Sequence, residues 1–123
     1  MADIQITKKD QLQTTTSTPG IVREVAFKSP NFLFIRATTI AAGVTSGWHH
    51  HGEHAVYGYI VSGKIRFEYG HRGKSVAEAG PGDFFHVPPN TVHRETPSKD
   101  KGQVILAFVG IGHMAINVEG PET

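Results

Sequence analysis

From Ile21 onward the chain alternates short apolar runs with turn-forming clusters, and no stretch holds a helical period. Ile65-Arg66-Phe67-Glu68-Tyr69 shows the pattern most plainly, with apolar and charged residues changing places at each step, as on a strand with one dry and one wet face. Ile21 to Phe27, Phe32 to Ile40, Val56 to Val61, Ser75 to Ala79, Phe84 to Val87, Val92 to Thr96 and Gln103 to Val109 read as further strands, with one more around Met114 to Val118. Ser29-Pro30-Asn31, Ala41-Ala42-Gly43, Ser62-Gly63-Lys64, Gly70-His71-Arg72-Gly73, Gly80-Pro81-Gly82-Asp83 and Pro88-Pro89-Asn90 punctuate them. About eight or nine short strands with turns every 8–12 residues or so predict an all-β antiparallel sandwich or barrel over residues 21–123. Residues 1–20, with the low-complexity run Thr14 to Gly20, are expected to be an N-terminal arm, flexible or involved in a dimer contact.

Bulk properties narrow the function classes. A chain of 123 residues has room for one core. Its formal net charge of +1, with no Lys/Arg run, gives no electrostatic drive toward nucleic acid. No stretch reaches the roughly 20 apolar residues of a membrane span, and the polar start from Met1 to Gln13 has no apolar leader core. The absence of cysteine excludes disulfides and thiolate metal sites, and fits a cytoplasmic protein.

Candidate chemistry is concentrated in Trp48-His49-His50-His51-Gly52-Glu53-His54, which carries four of the eight histidines. Neutral imidazole binds Fe, Mn, Ni, Zn and Cu. On a strand, His49 and His51 share a face while His50 points the other way, so the pair offers two nitrogens to one ion. The best third ligand is His93, delivered by the rigid turn Pro88-Pro89-Asn90-Thr91. Such a site requires the His93 ring within about 6 Å of the other two, given metal–nitrogen bonds of roughly 2 Å.

These residues carry a resemblance to the cupins. Gly43, then Val44 to Trp48, then His49-His50-His51, with Gly63 closing, is similar to the first cupin motif; Pro81-Gly82-Asp83, Pro88 and His93 resemble the second. The resemblance implies a jelly-roll barrel with a mononuclear divalent metal held by His49, His51 and His93. It also departs from the pattern. The family's glutamate would fall at Val56, and the late asparagine of the second motif at Pro97. His54 is a possible fourth ligand, Glu53 another if the backbone bulges, and His50 enters if the register slips by one; otherwise three histidines serve alone.

What the resemblance implies is a small-molecule metalloenzyme, with dioxygenase chemistry leading and isomerase or lyase chemistry as alternatives. A non-catalytic binding or sensing barrel is the reading of a different class. Missing one negative charge, the site is expected to favour substrates that bring an anionic oxygen or sulfur. Tyr57, Tyr59, Arg36 and His86 are candidate pocket residues, although Arg36 suits a salt bridge and His86 a structural role on the Phe84 face. The family's habit of pairing by exchanged edge strands implies a homodimer, with the arm as a means. No nucleic-acid or membrane partner is expected.

Overall fold

Strand alternation sorts the chain into two antiparallel sheets. The computed structural model describes residues 3–15, 18–39, 43–97 and 102–123. Among these residues a 3-10 turn at Lys9–Gln11 is followed by eleven strands: β1 (Gln13–Thr14), β2 (Ile21–Ser29), β3 (Phe32–Thr39), β4 (His49–His50), β5 (Ala55–Ser62), β6 (Ile65–Tyr69), β7 (Ser75–Ala79), β8 (Phe84–Val87), β9 (His93–Pro97), β10 (Gln103–Val109) and β11 (Ile116–Asn117). One sheet runs β1-β2-β3-β10-β5-β8 and the other β11-β4-β9-β6-β7. This is the jelly roll that the sequence predicts, and no helix among the described residues is long and apolar enough to cross a membrane.

Between the sheets lies one apolar core. Ile35 and Ala37 of β3, Val56 and Ile60 of β5, Val104, Leu106 and Phe108 of β10 and Ile65 and Phe67 of β6 all point into it. Ile60 and Phe108 are wholly buried, which is worth about 1.5–3 kcal/mol for each such side chain. Every one of these residues alternates with an outward neighbour, as a period of two requires.

Several boundaries differ from the expectation. β2 extends to Ser29 because Lys28 and Ser29 pair with Leu33 and Phe32 around a tight turn, after an irregularity between Val25 and Phe27. The final strand shrinks to Ile116–Asn117, since its partner β4 offers only His49 and His50. The run expected to reach Ile40 is described as far as Thr39; Ile40, Ala41 and Ala42 lie outside the described residues, as do Thr16 and Ser17 of the arm. Gln13 and Thr14 of the arm pair with Val25 and Glu24 of the same chain. Gly63, at φ +77°, turns the chain from one sheet into the other.

One glycine is fixed by a close approach. Gly58 of β5 sits opposite Phe85 of β8, and a Cβ built on it would stand 2.1 Å from Phe85 Cζ. The tip of the Phe85 ring therefore occupies the space over the bare backbone, and the ring leans on Phe67, ring centres 4.9 Å apart. Gly58→Ala is expected to cost about 1–3 kcal/mol through overpacking. A chemical-denaturation midpoint equal to the parent's would show instead that the ring has room to move.

Candidate metal centre

Strand pairing brings two of the histidines together, and the third, His51, follows just past the end of β4. His49 on β4 is the direct cross-strand partner of His93 on β9. Their ring centres lie 4.3 Å apart, and the His51 ring is 5.2 Å from each. One nitrogen from each ring falls within 4.8 Å of the others, and all three residues are buried. His50, between the inward pair, turns away, its Nδ1 accepting from the Gly52 amide at 3.1 Å.

The proton arrangement follows from the partners. Nδ1 of His49 faces the Gly47 carbonyl at 2.9 Å, Nδ1 of His93 faces the Thr91 carbonyl at 2.9 Å, and Nδ1 of His51 faces the Met114 carbonyl. A carbonyl oxygen has no proton to give, so each Nδ1 is the donor and each neutral ring keeps its lone pair on Nε2. Carbonyl-anchored Nδ1 groups are the outer-shell arrangement of metal-binding histidine. His49 Nε2 is buried with no hydrogen-bond partner. Burial pushes His51 down to about 2, helped by the charges of His93 and His49. Burial also lowers His49, although Glu95 partly opposes it. Neutral, pre-oriented imidazoles around an orphaned nitrogen fit a divalent transition ion.

A carboxylate that sequence reading missed completes the cluster. Glu95 Oε1 lies 3.1 Å from His93 Nε2 and 3.6 Å from His49 Nε2. Burial works against its charge, yet the neighbouring His49 and His93 rings outweigh that and hold the carboxyl well below the usual range. Arg23, equally unforeseen, is 1% exposed, donates from Nη1 to Thr18 Oγ1 at 2.8 Å and leaves Nε without a partner. Burial lowers its pKa while the charge of Glu95 raises it. Alternation could have found both: Arg23 shares a face with buried Ile21, and Glu95 follows His93 at the same spacing as His51 follows His49.

The other expected site residues lie elsewhere. His54 is buried, but it packs edge-on against Phe108 and its Nδ1 donates to the His113 carbonyl at 2.9 Å, outside the trio. Glu53 meets Asn90 Nδ2 at the surface, 3.2 Å away. Arg36 points outward and pairs with Glu24 at 3.0 Å, its salt-bridge alternative. Tyr57 and Tyr59 stand on the outer face of β5, 51% and 38% exposed, because Val56, Gly58 and Ile60 take the inner positions. As pocket residues they are corrected: Tyr57 stacks on His86 at 4.7 Å, and Tyr59 packs against Phe84 at 4.8 Å.

A cavity of about 280 Å³ opens beside His93, walled by Phe67, Tyr69, Phe85, Val87 and Thr91, with His86 at its exposed edge. Behind it lies a void of about 20 Å³ that reaches His51, Val56 and Glu95. Phe67, Phe85, Val87 and His93 border both, so the Phe85 ring stands between mouth and interior.

A double-sheet barrel with a histidine trio inside one wall is a cupin-type architecture. The chain belongs to the cupin family, whose Cupin domain matches residues 37–110. Among solved structures, KdgF from Halomonas sp. is similar at 24% identity and a TM-score of 0.69, over 86% of this chain and 94% of that one. Pac13 from Streptomyces, described as a nucleoside dehydratase, gives 17% and 0.74 over 98% and 95%. The polyketide cyclase RemF from Streptomyces resistomycificus gives 13% and 0.71 over 94% and 86%. Identities this low speak for the fold. No curated protein matches the chain in sequence.

Proposed function

We propose that this chain is a metal-dependent cupin enzyme that transforms a small, largely apolar molecule bearing an anionic oxygen or sulfur, with dioxygenase-type oxidative cleavage as the reaction. The observation that carries it is the meeting of three carbonyl-anchored imidazoles, one of which, His93, borders an open apolar cavity. A divalent transition ion held by His49, His51 and His93 would supply Lewis acidity and, if redox-active, an electron source. The rest falls to the chain. The carbonyls of Gly47, Thr91 and Met114 hold the rings in place. Phe67, Tyr69 and Phe85 offer apolar surface to the body of the substrate and keep water away from it. Arg23 offsets the charge of Glu95, so the ion's own positive charge stays unbalanced and favours an anionic group.

A second reading is favoured by Glu95. A half-buried carboxylate beside two imidazoles can help them move a substrate proton, which suits lyase, isomerase or cyclase chemistry without dioxygen. The resemblance to a nucleoside dehydratase and a polyketide cyclase in fold agrees with this alternative.

Metal analysis of the purified protein, followed by an oxygen-uptake screen over diketones, thiols and polyphenols, tests the proposal. Turnover with stoichiometric oxygen consumption supports oxidative cleavage. Turnover that persists without oxygen overturns it in favour of the second reading. Saturable ligand binding with no turnover under either condition would make the chain a binding protein.

A further inference from the structure

We infer that Glu95 is the single carboxylate ligand of the metal centre, reaching it from β9 beside His93; this rests on the metal-dependent reading above. Three observations lead there. First, β9 alternates: Arg94 turns outward to Glu68 at 3.0 Å and lies over the Trp48 ring, 4.4 Å from its centre, while His93 and Glu95 stay on the inner face. Second, Oε1 meets two Nε2 atoms at 3.1 and 3.6 Å, and the Nδ1 protons of both rings are committed to carbonyls. Two neutral imidazole lone pairs and a carboxylate are all acceptors, and acceptors this close repel unless positive charge stands between them. A shared cation meets that requirement for all of them at once. Third, Glu95 and Val56 line the same small interior void from opposite sheets, so the carboxylate reaches the space where the apolar Val56 side chain brings no charge.

Other acids are spoken for. Glu24 and Glu68 are tied to arginines, and Glu53 meets Asn90 at the surface. Among the described residues, no other carboxylate forms an ion pair with a trio histidine. A hard oxygen donor among three nitrogens also predicts a preference. Carboxylate suits Mn(II), while imidazole suits Cu(II) and Ni(II), so losing the oxygen should hurt manganese most.

The test titrates Mn(II) and Cu(II) into metal-free wild type, Glu95→Gln, Glu95→Asp and His93→Ala by calorimetry, and records the visible spectrum of each with Co(II). Glu95→Gln is expected to weaken Mn(II) by at least the ~10–100-fold that outer-shell partners cost, with a smaller loss for Cu(II) and an altered Co(II) spectrum. Glu95→Asp, which keeps the charge on a shorter arm, should fall between wild type and Glu95→Gln. It carries the same comparison if the glutamine variant does not fold. Wild-type affinity and an unchanged cobalt spectrum in Glu95→Gln overturn the assignment while leaving the histidine site standing. A wild type that binds none of the three ions, like His93→Ala, overturns the metal reading and this inference together.

Discussion

His49→Ala and His93→Ala should each empty the metal centre, taking bound metal from a full complement to near zero, while His50→Ala leaves it unchanged. Removing an outer-shell partner of a ligand already costs roughly 10–100-fold in affinity, and removing the ligand itself costs more. The three substitutions differ little in chemistry, so their contrast reads the register of β4 directly. His49 and His93 face each other across two strands, and His50 faces Ile116. Metal content measured on the purified variants decides the matter. Full occupancy in both inward variants would sink the site, and a loss in His50→Ala would mean that the strand pairs one residue out of step. His93→Ala also deprives the Thr91 carbonyl of its donor, whereas the Gly47 carbonyl keeps that of Ser46 Oγ when His49 is truncated. A small drop in the melting temperature of the metal-free form is expected alongside, since an unmet buried acceptor costs about 1–3 kcal/mol.

Acid is the second strong lever. In the metal-free protein His51 titrates at about 2, against an ordinary histidine value of roughly 6.5. Between those values the unfolded chain binds a proton that the folded chain refuses. Its contribution to stability is therefore complete above about pH 6.5 and is lost as pH falls toward 2. His49 is shifted in the same direction. Glu95, depressed below the usual carboxylate range, adds stability above about pH 4.3 that drains as pH falls through its lower folded value. All three act with the same sign. Each is worth about 1.4 kcal/mol per pH unit where it is engaged, so His51 alone gives a slope of about 1.4 kcal/mol per unit between roughly pH 6 and 4.5, and His49 adds to it in the same direction. Against a typical total of about 5–15 kcal/mol, that is a large share of the stability by pH 4. Urea midpoints measured at steps from pH 7.5 to 4.5 check it, with His51→Gln expected to flatten the slope by about 1.4 kcal/mol per unit. A flat profile in the parent would refute the neutral, buried trio. Bound metal should steepen the dependence, because protons compete for the same nitrogens.

Much of this molecule can be read from alternation alone. Strands such as Ile65–Tyr69 and Gln103–Val109 declare both their existence and their inner face, and His-x-His on such a strand places two rings together. What alternation within one strand does not reveal is which strand lies alongside. Glu95 shares the His93 face by alternation, but only the pairing of His49 with His93 sets it beside two imidazoles. Arg23 stands beside Glu24 and invites the idea of a wet face, whereas it shares the buried face of Ile21, with Val22 only half-buried between them. Tyr57 and Tyr59 were drawn toward the pocket by their chemistry, yet Val56 and Ile60 had already claimed the interior. The seating of Phe85 on Gly58 has no signature in the chain, since it depends on two strands meeting in register.

The carbonyls of His113 and Met114 fasten His54 and His51, and Ile116–Asn117 lies against β4. Residues 113–117 thus clasp the histidine-bearing stretch rather than trail past it. Whatever the ring of His51 gains on capturing an ion is shared by thermodynamic linkage with that clasp. Loading should shield the last dozen or so residues from proteases, and clipping them should loosen the ion in turn.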